Sequence, residues 1–333
     1  MRVISLLSPA KTLNWAPSPA SLSSELWTQP TLLREADPIM QVMRGKSKAE
    51  IKKLMGVSDK IADLNLERFK SFKSSAEAEG ASQEAAGDNF RPAALAYDGP
   101  AYRALDAKSF SEEDWVFGAK SIRFLSGLYG VLRPTDLIQP YRLEMGSRVG
   151  VTGRKDLYEY WQDSVYRNLL EDVERASREG GCLVVNVASQ EYSKAVDFGK
   201  LEEAGGRVVT CVFKDDGRVL SVFAKKARGL FTRHLVLSRA KGMADLEAFS
   251  ADGYRLDRSQ SRDGLLVFGR SKAQRVPPQP QATPSVVSGK KRELNSAGRG
   301  SAESQSPVAK GKARKKQQTT EQKQSKKKVV KKK

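Results

Sequence analysis

The sequence predicts an α+β fold: one compact body with a mixed β-sheet flanked by helices, an inserted helix-hairpin-helix element, and a disordered basic C-terminal tail. Three observations lead there. Short apolar runs bounded by turn residues alternate with helix-period stretches across residues 1–270. A two-helix pattern with a glycine between its halves occupies residues 47–72. Composition then changes after Arg270, because residues 271–333 hold no aromatic side chain and are dominated by Lys, Ser, Gln, Pro and Gly. Such a segment buries too little apolar surface to offset the entropy of ordering it.

The elements follow in order. Val3–Leu7 reads as a first strand, and Ser47–Met55 and Ser58–Phe72 as two short helices. Ser74–Asn89, rich in Ala, Glu, Gly and Ser, reads as a surface loop or insertion. A long helix spans 156–178, with Leu157, Tyr160, Trp161, Val165 and Leu169 on one face. Cys182–Val187 is a continuous apolar run, the pattern of a strand covered on both faces. Val208–Phe213 and Val219–Phe223 flank Asp215-Asp216-Gly217 as a predicted hairpin, and Leu265–Phe268 is a last strand. The order does not give a regular βαβ repeat.

Charge follows the same boundary. The chain carries +19, yet 18 of the 58 Lys and Arg and only 3 of the 39 Asp and Glu fall in 271–333. The tail therefore holds +15 and the body +4. Binding of an anionic partner by the body must rest on where its charges sit. In the tail, Lys290-Lys291-Arg292 and Lys312-Ala313-Arg314-Lys315-Lys316 are spaced like a bipartite nuclear-import signal, with a further basic block at Lys326–Lys333. In a bacterium the same tail would tether DNA. The expected location is thus the cytoplasm, at the nucleoid, or a nucleus.

Several classes are disfavoured. Cys182 and Cys211 lie in apolar runs and His234 is the single histidine, which leaves no set for structural zinc or a Ser-His-Asp triad. No metal and no cofactor is expected, since neither G-x-G-x-x-G nor a Walker A loop occurs. No apolar run approaches the roughly 20 residues of a membrane span, and the apolar start ends at Ser8-Pro9, too early for a signal peptide.

Four segments have residues suited to chemistry. Leu54-Met55-Gly56-Val57-Ser58-Asp59-Lys60-Ile61-Ala62 has the spacing of a helix-hairpin-helix, with Ser58 where a second glycine is usual. Its turn would offer backbone N–H groups to a DNA phosphate, with Lys52, Lys53 and Lys60 adding charge. Ser58 is also a good N-cap, so a plain helical corner accounts for the segment equally well. On a helical wheel Lys225, Lys226, Arg228, Thr232 and Arg233 form a basic arc opposite Ala227, Leu230, Phe231, His234 and Leu235. His234 therefore reads as a core histidine. Lys11, in Ser8-Pro9-Ala10-Lys11-Thr12, follows the first strand, a usual place for a phosphate ligand or an amine nucleophile. Phe124–Pro134 and Gln139–Gly146 place Gly127 and Gly130 near Arg133 and Arg142, a mixture that suits phosphate contact or an ordinary core edge.

Taken together, these segments resemble the YaaA family of peroxide-stress proteins. The runs that carry the resemblance are Leu7–Thr12, Ser58–Lys60, Tyr97–Tyr102, Leu125–Pro134, Gln139–Gly146, Gly153–Tyr158, Asn186–Tyr192 and Phe223–Gly229, across about 1–270. The resemblance implies a compact α+β fold with a positively charged cleft, DNA binding through a helix-hairpin-helix, and limitation of oxidative damage linked to lower free iron. The segment at 74–90 and the basic tail depart from that pattern. The expected partner is double-stranded DNA, intact, bulged or damaged, bound by a monomer with no membrane involved. The alternative is a lysine-dependent enzyme acting on damaged bases or abasic sites. Lys60 sits where lyase-type glycosylases carry their Schiff-base lysine, and Lys11 is a second candidate. Against that role of Lys60, Ala78 occupies the place of the needed carboxylate, flanked by Glu77 and Glu79.

Overall fold

The computed structural model describes residues 1–16, 21–79 and 89–275; the tail beyond Arg275 and residues 80–88 lie outside them. The main sheet contains β1 (Arg2–Leu7), β2 (Ile122–Ser126), β3 (Gly130–Leu132), β4 (Cys182–Asn186), β5 (Gly206–Asp215), β6 (Arg255–Leu256) and β7 (Leu265–Arg270). Their spatial order is β6-β7-β5-β4-β1-β2-β3. β1 is central, with β2 parallel to it on one edge and β4 parallel on the other. β4–β5 and β5–β7 are also parallel, and only β3 and β6 run antiparallel to their neighbours.

The body is therefore α/β with a mostly parallel sheet, which corrects the α+β expectation. Every residue of β4 and β2 is buried, as a sheet covered on both faces requires. β2 escaped sequence reading because Arg123 interrupts its apolar run. Arg123 is buried, and its guanidinium donates to both carboxylate oxygens of Asp172 at 2.6 and 2.7 Å. Asp172 belongs to the buried face of a 22-residue helix, Leu157–Arg178, whose first turn is capped by the Asp156 carboxylate.

The predicted hairpin at 215–217 forms only its turn. Asp216 and Gly217 take φ of 47° and 75°, but Val219–Phe223 is no strand, and a helix spans Ser221–Leu237. Both edges of β5 are already filled by β4 and β7, so no ladder was open to a returning strand. The segment expected as a loop from Ser74 begins as a helical turn, Ser75–Glu79. Ser75 donates to Asp37 through its N–H and hydroxyl, and Ala78 is fully buried.

We label the helices that shape the site α1 (Leu33–Arg44), α2 (Lys48–Met55), α3 (Asp59–Ser71), α4 (Pro100–Leu105), α5 (Leu157–Arg178) and α6 (Ser221–Leu237). α2 starts with a capping box between Ser47 and Glu50 and ends at Gly56 in the left-handed conformation, φ 58°. Arg44 of α1 caps the far end of α3 by donating to the carbonyls of Phe69 and Phe72. α6 lies against α4 so closely that a Cβ on Gly229 would sit 1.9 Å from the Ala101 carbonyl oxygen. Beyond the composition break, Arg275 still belongs to the compact unit, with its Nε 2.8 Å from Asp215 and its guanidinium 4.5 Å from the Phe223 ring centre.

Two stability tests follow from this packing. Gly229→Ala gains roughly 1 kcal/mol of helix propensity, but the clash is with backbone and forces two helices apart, an overpacking cost of about 1–3 kcal/mol or more. We expect net destabilisation, read as a lower urea midpoint. Asp136 is fully buried and accepts from the Thr28 hydroxyl at 2.6 Å and the Arg133 N–H at 2.7 Å. Burial nevertheless pushes its carboxyl up to about 6. A raised carboxyl favours the folded state below its unfolded pKa near 4, and that contribution, about 3 kcal/mol at most, is lost as pH rises through 6. Asp136→Asn should flatten the fall in urea stability between pH 4 and pH 7.

Candidate functional site

Winding reverses at β1: the chain proceeds to β2 on one side and later to β4 on the other, and a crevice opens at their C-terminal ends. The loops leaving β1 and β4 are clasped there. Ser189 donates its N–H to the Ser8 hydroxyl at 2.8 Å, and the Ser8 hydroxyl donates to Ser189 Oγ at 3.1 Å. The resulting cleft has a volume of about 470 Å³. Its lining comes from five separate stretches: Leu7–Thr12, Asp98–Tyr102, Tyr141–Glu144, Ser189–Tyr192, and Ser221, Lys225 and Arg228 of α6.

Tyrosines form the floor. Tyr102 donates to the Ser8 carbonyl at 3.0 Å, while Tyr97, Tyr141 and Ser126 share a hydroxyl chain with O···O distances of 2.6 and 2.7 Å. Burial raises all of these phenols, Tyr141 to about 12 and Tyr97 and Tyr102 well above the usual value. They act as neutral hydrogen-bonding groups. The Tyr141–Glu144 wall can approach because residue 127 is glycine; a Cβ there would lie 2.5 Å from the Leu143 carbonyl oxygen.

Charges are distributed unequally around the mouth. Arg103 holds Asp98 through two bonds of 2.7 and 2.9 Å. Glu144 is shared by Arg142 at 3.0 Å and Lys11 at 3.3 Å. Glu191 accepts the Gly146 N–H at 3.2 Å. Lys225 and Arg228 have no carboxylate partner among the described residues. Arg228 Nε is buried and its N–H donates to no partner among the described residues, and burial lowers the guanidinium's pKa. A desolvated, unpaired guanidinium beside a nucleotide-sized cleft is the arrangement of an anion site.

The comparisons with known proteins bear on this surface. The family model for the peroxide stress protein YaaA matches residues 3–260. The chain belongs to the YaaA peroxide-stress protein family. It is also similar to a UPF0246 protein of Dinoroseobacter shibae, at 41% identity over 289 residues, 85% of this chain and 98% of that protein. Five of the runs that carried the YaaA resemblance, from Leu7–Thr12 to Phe223–Gly229, contribute lining residues to the one cleft.

The structure brings Lys11, Arg142, Lys225 and Arg228 together and sends other expected residues elsewhere. Arg133 borders a separate small pocket with Arg123 and Asp172, at the β3 side of the sheet. Arg233 donates to the Leu105 and Asp106 carbonyls at 3.0 Å, capping α4, and Lys226 pairs with Asp252 at 2.9 Å. The basic arc of α6 is thus no single outward face, and Thr232 within it is fully buried. His234 faces the core side of α6 as expected but is only half-buried, its Nε2 2.8 Å from the Asp245 carbonyl and its ring against Phe249.

The α2–α3 pair stands outside the cleft lining. Lys53, Gly56, Ser58 and Lys60 are exposed, Val57 is half-buried, and Ser58 makes no side-chain cap. Lys52 is tied to Asp59 at 2.8 Å, so α3 begins with a carboxylate of its own, held below the usual range by that lysine. Lys48 pairs with Asp63 at 2.7 Å. Glu77 is engaged with Ser74, accepting from its N–H and hydroxyl at 2.7 Å. Sequence reading missed Arg68 of α3, whose pKa is lowered by burial and by the like charge of Arg142. It also missed Ser189, although the tip of a central strand pointed to that position.

Removing the unpaired guanidinium should separate stability from binding. Arg228→Met should raise the melting temperature in phosphate-free buffer, by the equivalent of about 1–2 kcal/mol. Inorganic phosphate should stabilise the wild type and leave the variant unmoved. A variant that melts lower would assign Arg228 a structural role.

Proposed function

We propose that the protein serves the peroxide-stress response by binding double-stranded DNA, with phosphates held along the cleft mouth. The observation that carries this reading is the half-buried Arg228 beside Lys225, with no carboxylate partner among the described residues, at a cleft whose Asp98 and Glu144 are already held by cations. The α2–α3 pair acts as the helix-hairpin-helix that extends the grip. Its support is the left-handed Gly56 turn, the uncapped start of α3, and the exposed Lys53 and Lys60, which have no ion pair among the described residues. Arg68, close to Arg142, links that hairpin to the cleft. The tail adds salt-sensitive affinity.

In this reading the link to lower free iron is indirect and needs no resident iron site. Cys182 and Cys211 are buried thiols, with Cys182 raised to about 11, and His234 is spent on a carbonyl. Among the described residues no three His, Cys, Asp or Glu side chains are grouped as metal ligands, and no helix is long and apolar enough to cross a membrane.

Salt titration tests the proposal. With the chain truncated after Pro278, log Kd should rise with log salt with a slope of about 3, the value for three or four neutralised phosphates. Lys225→Ala with Arg228→Gln should lower that slope by about 2. Lys53→Glu with Lys60→Glu should weaken binding about tenfold or more. An unchanged slope removes the cleft from the argument, and unchanged affinity of the second variant removes the hairpin.

A second reading rests on Lys11, whose amine stands 3.3 Å from the Glu144 carboxylate at the tip of β1. The Lys11 amine could condense with an abasic-site aldehyde, expelling water, and the Glu144 carboxylate could then take the proton on the carbon next to the iminium as the 3′-phosphate leaves by β-elimination. Borohydride should trap that adduct, and Lys11→Ala should abolish it. No adduct between pH 6 and pH 9 would sink the enzyme.

A further inference from the structure

The start of α6 carries a feature that phosphate binding leaves unused. Val219, Leu220 and Val222 are 54%, 39% and 67% exposed, three of the seven large apolar side chains that the described surface exposes. Single exposed aliphatic residues need no explanation, but three in a four-residue corner do. The corner is also placed against the cleft. Ser221, between Leu220 and Val222, lines it, as does Lys225 one turn later. The first turn of α6 has no acidic residue and no side-chain cap, so its surroundings favour a polyanion.

We propose that the cleft receives one nucleotide turned out of a DNA duplex, and that the Val219–Val222 corner enters the base stack in its place. The proposal rests on the DNA-binding reading and names what the cleft holds. Its volume of about 470 Å³ lies in the range of small-ligand pockets and is far too small for duplex, so the part of a DNA partner that fits inside it is an extruded unit. Pro9, Pro100 and Leu143 give it apolar walls for a flat ring, and Ser189 and Glu191 offer polar groups for a base edge. Arg228 and Lys225 meet the phosphate as it enters. Apolar wedges that unstack a base step adjoin cationic groups in the same way, because the gap left in the stack is apolar and its rim is phosphate. A lipid surface would use the apolar corner but not the deep cleft beside it.

The full chain at saturating concentration, mixed with duplexes carrying 2-aminopurine in an intact site, opposite an abasic site, or in a single-nucleotide bulge, tests this. Extrusion should raise the fluorescence at least twofold, most for the abasic and bulged sites, where unpairing costs least. Val219→Ser with Val222→Ser should remove at least half of that rise at the same occupancy, and Val222→Phe should restore it. All these positions are exposed, so circular dichroism should report unchanged folding. Binding without any rise, or a full rise in the serine variant, overturns the wedge while the DNA-binding reading stands. Failure to bind any duplex sinks both. Sedimentation with vesicles of anionic phospholipid that Val222→Ser abolishes, with no fluorescence rise on DNA, assigns the corner to a membrane surface and overturns the proposal.

Discussion

The position of β1 constrains everything else. A strand with parallel partners on both edges, reached by chain passing in opposite directions, leaves a gap where the loops diverge. Neither the loop after Leu7 nor the loop after Asn186 can cover that gap, because each turns away toward its own side. The two loops are instead tied across it by Ser8 and Ser189. The cleft is a consequence of winding order, and the remaining stretches only line it.

Two close approaches then give the cleft its walls. α6 reaches the mouth because Gly229 lets it lie on the Ala101 backbone, and the Tyr141–Glu144 stretch reaches it because Gly127 lets Leu143 approach. In both places the partner is a carbonyl of the main chain, which cannot rotate out of the way as a side chain would. These glycines set the place of the cations beside them: Gly229 lies next to Arg228 in the chain, and Gly127 lets Leu143, next to Arg142, approach. The charge pattern completes the site. Acids near the mouth are each engaged by an arginine, a lysine or a backbone N–H, so the cations left over are those of α6.

The α2–α3 hairpin and the cleft are different kinds of surface. The hairpin is an exposed corner that carries its own carboxylates, Asp59 and Asp63, paired with Lys52 and Lys48. Its charges are solvated, and exposed pairs of this kind contribute little either way. Arg228, by contrast, is half-buried with no counter-charge among the described residues, where an incoming anion gains most. The geometry therefore puts the stronger electrostatic attraction at the cleft, although the hairpin was the more conspicuous feature in the sequence.

The sequence by itself determined the elements whose patterns are local. β1, β4, β5, β7 and the long helix α5 are legible in runs of apolar residues and their periods, because burial on one face or two leaves a repeat along the chain. The turn at Asp215–Gly217 was legible for the same reason, and so was the inward side of α6 on which the half-buried His234 sits. The parallel pairing, the failure of a second hairpin strand, and the location of the site were not. Val219–Phe223 has strand-like residues, but whether it forms a strand depended on β5 having a free edge. Arg123 looks like a surface residue until Asp172, in α5, is placed beside it. Lys11, Arg142, Lys225 and Arg228 were each identified, yet only the fold separated them from Arg133, Arg233 and Lys226. A charge is written in the sequence; whether it has a partner is set by residues that can lie tens to more than a hundred positions away, as with Arg123 and Asp172 or Lys11 and Glu144, and only tertiary structure decides that.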